Sequence, residues 1–230
     1  KNKNKKFNIA VIDYGMGNQQ SLINALNLFG HNICLTEDKD LISKSDLAIL
    51  PGVGSFPAGI KELRNRGLIN ILLERYKNRK PIIGICLGMQ LLFENSSEFS
   101  KNNGLGIFKG EIKNIKDLVI KDSVTNSYPK EIKLPHMGWN DISEYYGESK
   151  YKYIKELKDK AFYFVHNYGA DSISNSDFYT ITKYYGRDIV AICAIDNNVG
   201  FQFHPERSGI EGLNLLSKVI DNLLENKNIK

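Results

Sequence analysis

Cysteine and histidine are both scarce in this sequence, with three of the first and four of the second among 230 residues. The cysteines, at 34, 86 and 193, are odd in number and show no Cys-x-x-Cys spacing. That argues against a disulfide framework or a zinc site and for a reducing compartment. Apolar runs of membrane-spanning length are missing, as are internal repeats and Pro/Gly/Ser-rich linkers, so residues 7–230 read as a single domain. The formal charge of +5 owes much to Lys1, Lys3, Lys5 and Lys6, and the interior holds no basic cluster of the kind a nucleic-acid surface needs. The opening "KNKNKKFNIAVID" has no apolar signal region or cleavage site, which makes residues 1–6 a solvated basic tail rather than a secretory leader and the protein an expected cytoplasmic one.

What is present suffices for a full core, since 42% of the residues are hydrophobic and 25% charged. Strand-like runs at 7–12, 33–36, 47–50 and 82–85 alternate with helical patterns through 22–29 and 63–76. This βαβα order predicts an α/β fold, a three-layer sandwich with a mostly parallel central sheet flanked by helices. Such sheets place their sites at the carboxyl ends of the strands. Beyond residue 104 the pattern turns to strands and turns, and a helix over 209–225 closes the chain.

The heptapeptide "GICLGMQ" joins a buried strand, ending at Ile85, to a helical spacing of Leu87, Gln90, Leu91 and Glu94. Cys86 thus stands at a strand-to-helix corner, where Gly84 and Gly88 let neighbouring backbone close on a strained residue that projects from the sheet. This is the geometry of a nucleophile elbow with sulfur in place of a hydroxyl. Cys34 in "HNICLT" and Cys193 in "VAICAI" lie in apolar runs without flanking glycines and read as core-strand residues. A cysteine nucleophile needs a base and a group that orients it. His31 reads as a surface residue, whereas His204 in "GFQFHPERS" sits on an extended run with Glu206 two residues on, so both side chains point the same way.

Taken together, "GICLGMQ" and "FQFHPE" resemble the class I glutamine amidotransferases, whose Cys-His-Glu triad cleaves the side-chain amide of glutamine. The stretches "IDYGMGN", "LPGVGSF", "PHMGWN" and "YFVHNY" are similar, in the same order, to the glutaminase subunits of imidazole glycerol phosphate synthases. The resemblance spans essentially the whole chain. It departs where Arg207 replaces a usual lysine and where Asn167-Tyr168-Gly169 replaces a usual Ser-Tyr-Tyr.

By that resemblance Cys86 is the nucleophile, His204 the acid and base, and Glu206 its orienter. The N–H groups of Leu87 and Val53 would form the oxyanion hole, with Gly52 giving the Gly52-Val53 peptide the freedom to turn into or out of the donating orientation. Gln90 would contact bound glutamine, Glu98 its ammonium, with Glu94 as competitor, and backbone at Asn167 and Tyr168 its carboxylate. No cofactor and no metal is implied. The implied partner is a (β/α)₈ barrel cyclase that uses the ammonia, docked on His136, Met137, Trp139, Asn140 and Arg207. Trp139 reads equally well as a core aromatic. A paralogous glutaminase serving a sugar-modifying synthase, a catalytically silent subunit and a Cys-His peptidase are the alternatives.

Overall fold

The computed structural model describes residues 5–17, 19–121, 131–147 and 152–225. Of the basic tail expected over 1–6, Lys5 and Lys6 are exposed and residues 1–4 lie outside the described residues, as does Asn18 of "IDYGMGN".

The first half runs β1 (Asn8–Ile12), α1 (Gln20–Asn27), β2 (Asn32–Thr36), α2 (Lys39–Lys44), β3 (Leu47–Leu50), α3 (Phe56–Asn65), α4 (Leu68–Lys77), β4 (Ile82–Ile85) and α5 (Leu87–Leu91). It continues with β5 (Phe93–Ser96), β6 (Asn102–Asn103), β7 (Phe108–Asn114), β8 (His136–Asp141), β9 (Glu144–Gly147), β10 (Ala161–His166), β11 (Tyr168–Gly169), β12 (Phe178–Tyr184), β13 (Arg187–Ile195), β14 (Asn198–Phe201) and α6 (Gly209–Glu225).

Eight strands form the main sheet in the order β2-β1-β3-β4-β14-β13-β12-β9. The five from β2 to β14 pair in parallel, and β13, β12 and β9 continue antiparallel, so the sheet is mixed. Strands β1, β3 and β4 are apolar without alternation because both faces are covered. Their period-two geometry nevertheless sorts them. Ile9, Val11, Leu47, Ile49 and Ile83 join the core beneath α1 and α6, while Ala10, Ile12, Ala48, Leu50 and Ile82 join the core beneath α2, α3, α4 and α5. Helix α6 buries Leu215, Leu216, Val219, Ile220, Leu223 and Leu224, each contributing ~1.5–3 kcal/mol.

Two expectations change here. The helical stretch over 63–76 is two helices, because Gly67 adopts a left-handed φ of 65° between α3 and α4. Cys34 lies on a strand but not in the core: β2 is an edge of the sheet and leaves its sulfur exposed, whereas Cys193 is fully buried on β13. Apolar sequence alone does not separate an edge strand from a central one. No helix of the described residues is long and apolar enough to cross a membrane.

Candidate active site

Cys86 follows directly on β4 with φ 54° and ψ −114°, a sparsely populated conformation costing ~1–3 kcal/mol that the surroundings must impose. The flanking glycines make this possible. A Cβ at Gly84 would stand 2.7 Å from Met89 Cα, and one at Gly88 would stand 1.7 Å from the Leu50 carbonyl oxygen. The Cys86 N–H donates to the Phe201 carbonyl at 2.7 Å, which ties the corner to β14. Helix α5 is shorter than the spacing suggests. It ends at Leu91, so Glu94 falls on β5 and not on the helix. The sulfur is buried, with Val165 O at 3.9 Å and Gln202 Nε2 at 4.0 Å.

His204 comes three residues after β14 ends and is extended, but Glu206 lies on a 3-10 turn, Pro205–Arg207, rather than on the strand expected from the sequence. The turn still brings Glu206 Oε1 to 2.8 Å from His204 Nδ1. Accordingly Nδ1–H donates to the carboxylate, and Nε2 is the nitrogen left to interact with Cys86. The backbone of His204 is anchored to β10, its N–H donating to Tyr163 O at 3.0 Å while Ser208 Oγ donates to its carbonyl at 2.6 Å. Burial pushes the His204 pKa down, but hydrogen bonding and charge from Cys86 and Glu206 outweigh it and raise it to about 10. An imidazolium beside the sulfur favours thiolate, the reacting form of cysteine.

The loop after β3 holds the two residues expected to shape an oxyanion site. Leu87 N–H donates to the Gly52 carbonyl at 3.3 Å, and Val53 N–H donates to Met16 O at 3.3 Å. Both expected donors are therefore engaged, and the Gly52-Val53 peptide presents its carbonyl to Leu87. Gly52 is obligatory for reasons of space as well, since a Cβ there would meet Tyr14 Oη at 2.1 Å. Tyr14 itself is fully buried and donates to Pro51 O at 2.7 Å, with a pKa raised by burial and by the nearby Cys86 charge. The motif "IDYGMGN" is the only sequence signal that could have singled it out.

Gln90 and Glu98 are both buried. Glu98 Oε2 accepts the Phe56 N–H at 2.7 Å, beside the same loop, and its pKa is raised by burial against that hydrogen bond. Glu94 is exposed and pairs with Lys109 at 3.4 Å, whereas Glu98 is the buried one of the two carboxylates. Gln90 Nε2 donates to Tyr168 O at 2.8 Å and to Gln202 Oε1 at 3.0 Å. Asn167 is exposed, and its carbonyl accepts the Ile115 N–H.

Gln202 and His166 belong to this network without having been singled out by the sequence. A carbonyl can only accept, so His166 Nδ1–H donates to Tyr168 O at 2.8 Å, and its Nε2 accepts from His136 Nδ1 at 2.9 Å. His136 Nε2 then accepts from Asn140 Nδ2 at 3.2 Å, and both imidazoles are neutral. Burial, reinforced by the neighbouring histidines, lowers the pKa of His136 to about 3 and that of His166 to about 4.

Of the five expected docking residues, His136 is misplaced: it is 2% exposed and stacked between Phe164 and Tyr184. On β8 its side chain alternates inward, while Met137 and Trp139 are each 59% exposed. That removes the core reading of Trp139, which rests edge-on against Tyr163. Arg207 is exposed and Asn140 half-buried.

Comparison with known proteins accords with this geometry. The family model of glutamine amidotransferase class-I matches residues 10–221. The chain is 41% identical over 209 residues to imidazole glycerol phosphate synthase subunit HisH of Bacillus cereus, covering 90% of this chain and 91% of that one, and the Bacillus anthracis protein matches equally. Among solved structures, PurLQS of Thermotoga maritima superposes with a TM-score of 0.64 at 18% identity over 97% of this chain and 99% of that one. The glutaminase domain of Trypanosoma brucei CTPS superposes with a TM-score of 0.56 at 15% identity over 94% of each. These two show the fold alone.

Proposed function

This chain belongs to the class-I glutamine amidotransferases and, within them, to the HisH subunits of imidazole glycerol phosphate synthase, and from that premise we propose how its residues act. It is a glutaminase that hydrolyses L-glutamine to glutamate and ammonia for histidine biosynthesis. The carrying observation is the set Cys86, His204 and Glu206, in which a strained cysteine lies beside an imidazolium whose Nδ1–H is held by the Glu206 carboxylate. Cys86 thiolate attacks the glutamine δ-carbonyl. His204 protonates the departing nitrogen, since an amide anion is too basic to leave unaided. Glu206 holds the ring and its charge, and water then hydrolyses the thioester.

Gln90 and Glu98 bind the substrate, with backbone near Asn167 and Tyr168 taking its carboxylate. Turning the Gly52-Val53 peptide would exchange its carbonyl for the Val53 N–H and free Leu87 N–H, completing the oxyanion hole. Ammonia is mostly ammonium near neutral pH and has then no lone pair, so a synthetic glutaminase must pass it on directly. A barrel cyclase subunit, docked over Met137, Trp139, Asn140 and Arg207 in the cytoplasm, would receive it. The test is covalent labelling with a diazo-oxo-norleucine analogue in that complex. Mass spectrometry is expected to find the label on Cys86, and a label on Cys34 or Cys193 would refute the assignment.

A further inference from the structure

Two buried histidines take no part in the steps above. His136 and His166 pack against Phe164 and each other, and both are held neutral by burial. Burying an imidazole is costly unless its nitrogens are paired. All four nitrogens are paired, in a single file from Asn140 Nδ2 to His136 Nε2, from His136 Nδ1 to His166 Nε2 and from His166 Nδ1 to Tyr168 O. Both ends of the file set its direction. The Tyr168 carbonyl can only accept, and Asn140 is held the right way round because Nδ2 also donates to Lys183 O at 3.0 Å while Oδ1 accepts the Asp141 N–H at 3.0 Å. Every hydrogen therefore points toward Tyr168.

The file ends on the backbone to which the substrate carboxylate was given above. Tyr168 O accepts Gln90 Nε2 at 2.8 Å as well as His166 Nδ1–H at 2.8 Å, so both of its lone pairs are used. One peptide earlier, the Asn167 carbonyl accepts the Ile115 N–H at 3.0 Å. A trans peptide aims its N–H opposite to its carbonyl, so holding these two oxygens fixes the directions of the Tyr168 and Gly169 N–H groups. Gly169 brings no side chain that could wedge this turn in place. Its hydrogen bonds and its pairing with β7 have to hold it.

We propose that His166 is a positioning residue for glutamine: its Nδ1–H holds the Tyr168 carbonyl so that the backbone of residues 167–169 meets the substrate carboxylate already aligned, and His136 and Asn140 fix the tautomer that does so. The inference rests on the glutaminase reading and adds to it a determinant of glutamine affinity. His166 acts through Tyr168 and not on the reacting atoms. Backbone aligned in advance spares the cost of ordering it on binding, and that saving is the same for bound glutamine and for the transition state. It therefore falls on KM and leaves kcat alone.

The split between KM and kcat supplies the test. Glutamate release is followed against glutamine concentration for the chain joined to the proposed barrel subunit with ribotide bound. His166→Phe keeps a ring and His166→Leu does not, but both remove the donor, and each should raise KM about tenfold with kcat within about twofold, the scale of one lost hydrogen bond. His166→Asn, whose Nδ2 can stand where Nδ1 stood, should bring KM back to within about threefold of the parent. General structural damage would lower the active fraction, and so kcat, without moving KM. An unmoved KM in the Phe and Leu variants, or an Asn variant no better than they are, overturns the inference. Nitrogen-15 NMR of the unaltered chain adds a reading that needs no variant: His166 is expected as the Nδ1–H tautomer, and the Nε2–H tautomer would overturn the assignment. If the parent complex releases no glutamate, the glutaminase reading itself fails; glutamate release with an unmoved KM defeats the positioning role alone.

Discussion

At Cys86 the chain accepts a left-handed backbone that any L-residue resists, and the return is a thiol held against His204 at the end of β4. The imidazole transfers the proton and the carboxylate only steers it, so the two side chains differ in what their loss should do. His204→Asn is expected to lower glutamate release by ~10²–10⁴-fold, the range for losing general acid-base catalysis. Glu206→Gln should cost less, because the amide can still hold the ring. Initial rates at saturating glutamine check both, and a His204→Asn rate within about twofold of the parent would refute the assignment. Glycine carries the rest of the residue-scale account: the 1.7 Å approach of a Gly88 Cβ to Leu50 O shows why that position has no side chain.

Among the elements, the β8–β10 pair carries a titration of opposite sign to that of the triad. His136 and His166 face each other across the pair and stay neutral, with pKa values of about 3 and about 4 against an ordinary 6.5. Below pH 6.5 the unfolded chain takes up protons that the folded one refuses, so their contribution to stability is present above 6.5 and is lost as pH falls toward 4 and then 3. Each proton steepens the fall by about 1.4 kcal/mol per pH unit. Urea unfolding between pH 7 and 4 should show that slope, and a His136→Gln, His166→Gln double variant should flatten it; equal slopes would refute the neutral pair. The His204 proton works the other way, stabilising below 6.5 and lost as pH rises through about 10.

These elements also show what the sequence could carry. Buried parallel strands, the elbow and α6 were legible because apolar runs, glycines and helical spacing are local signals. The exposure of Cys34, the break at Gly67, the 3-10 turn under Glu206 and the inward face of His136 were not, since each depends on what packs alongside. Gln202 was hidden for the same reason: its partners Gln90 and Cys86 lie 112 and 116 residues away in the chain.

On the scale of the whole molecule, the oxyanion loop, the triad and the exposed Trp139 belong to one question, namely when glutamine is cleaved. Trp139 and Met137 leave large apolar surface in water, and aromatic residues of this kind anchor interfaces. Trp139→Ala should weaken binding to the barrel subunit by ~30-fold or more while leaving the unfolding midpoint within error, as titration calorimetry and urea unfolding would show. Unaltered affinity would move the docking surface elsewhere. The central claim is that this is a glutaminase whose oxyanion hole is incomplete while the Gly52 carbonyl holds Leu87 N–H. Its most direct test is the glutamate release rate of the chain alone and of the chain joined to the proposed barrel partner with ribotide bound. The predicted result is a rate ~10²–10³-fold lower for the isolated chain, the cost of one missing oxyanion donor. Equal rates in the two states, or no glutamate in either, would contradict it.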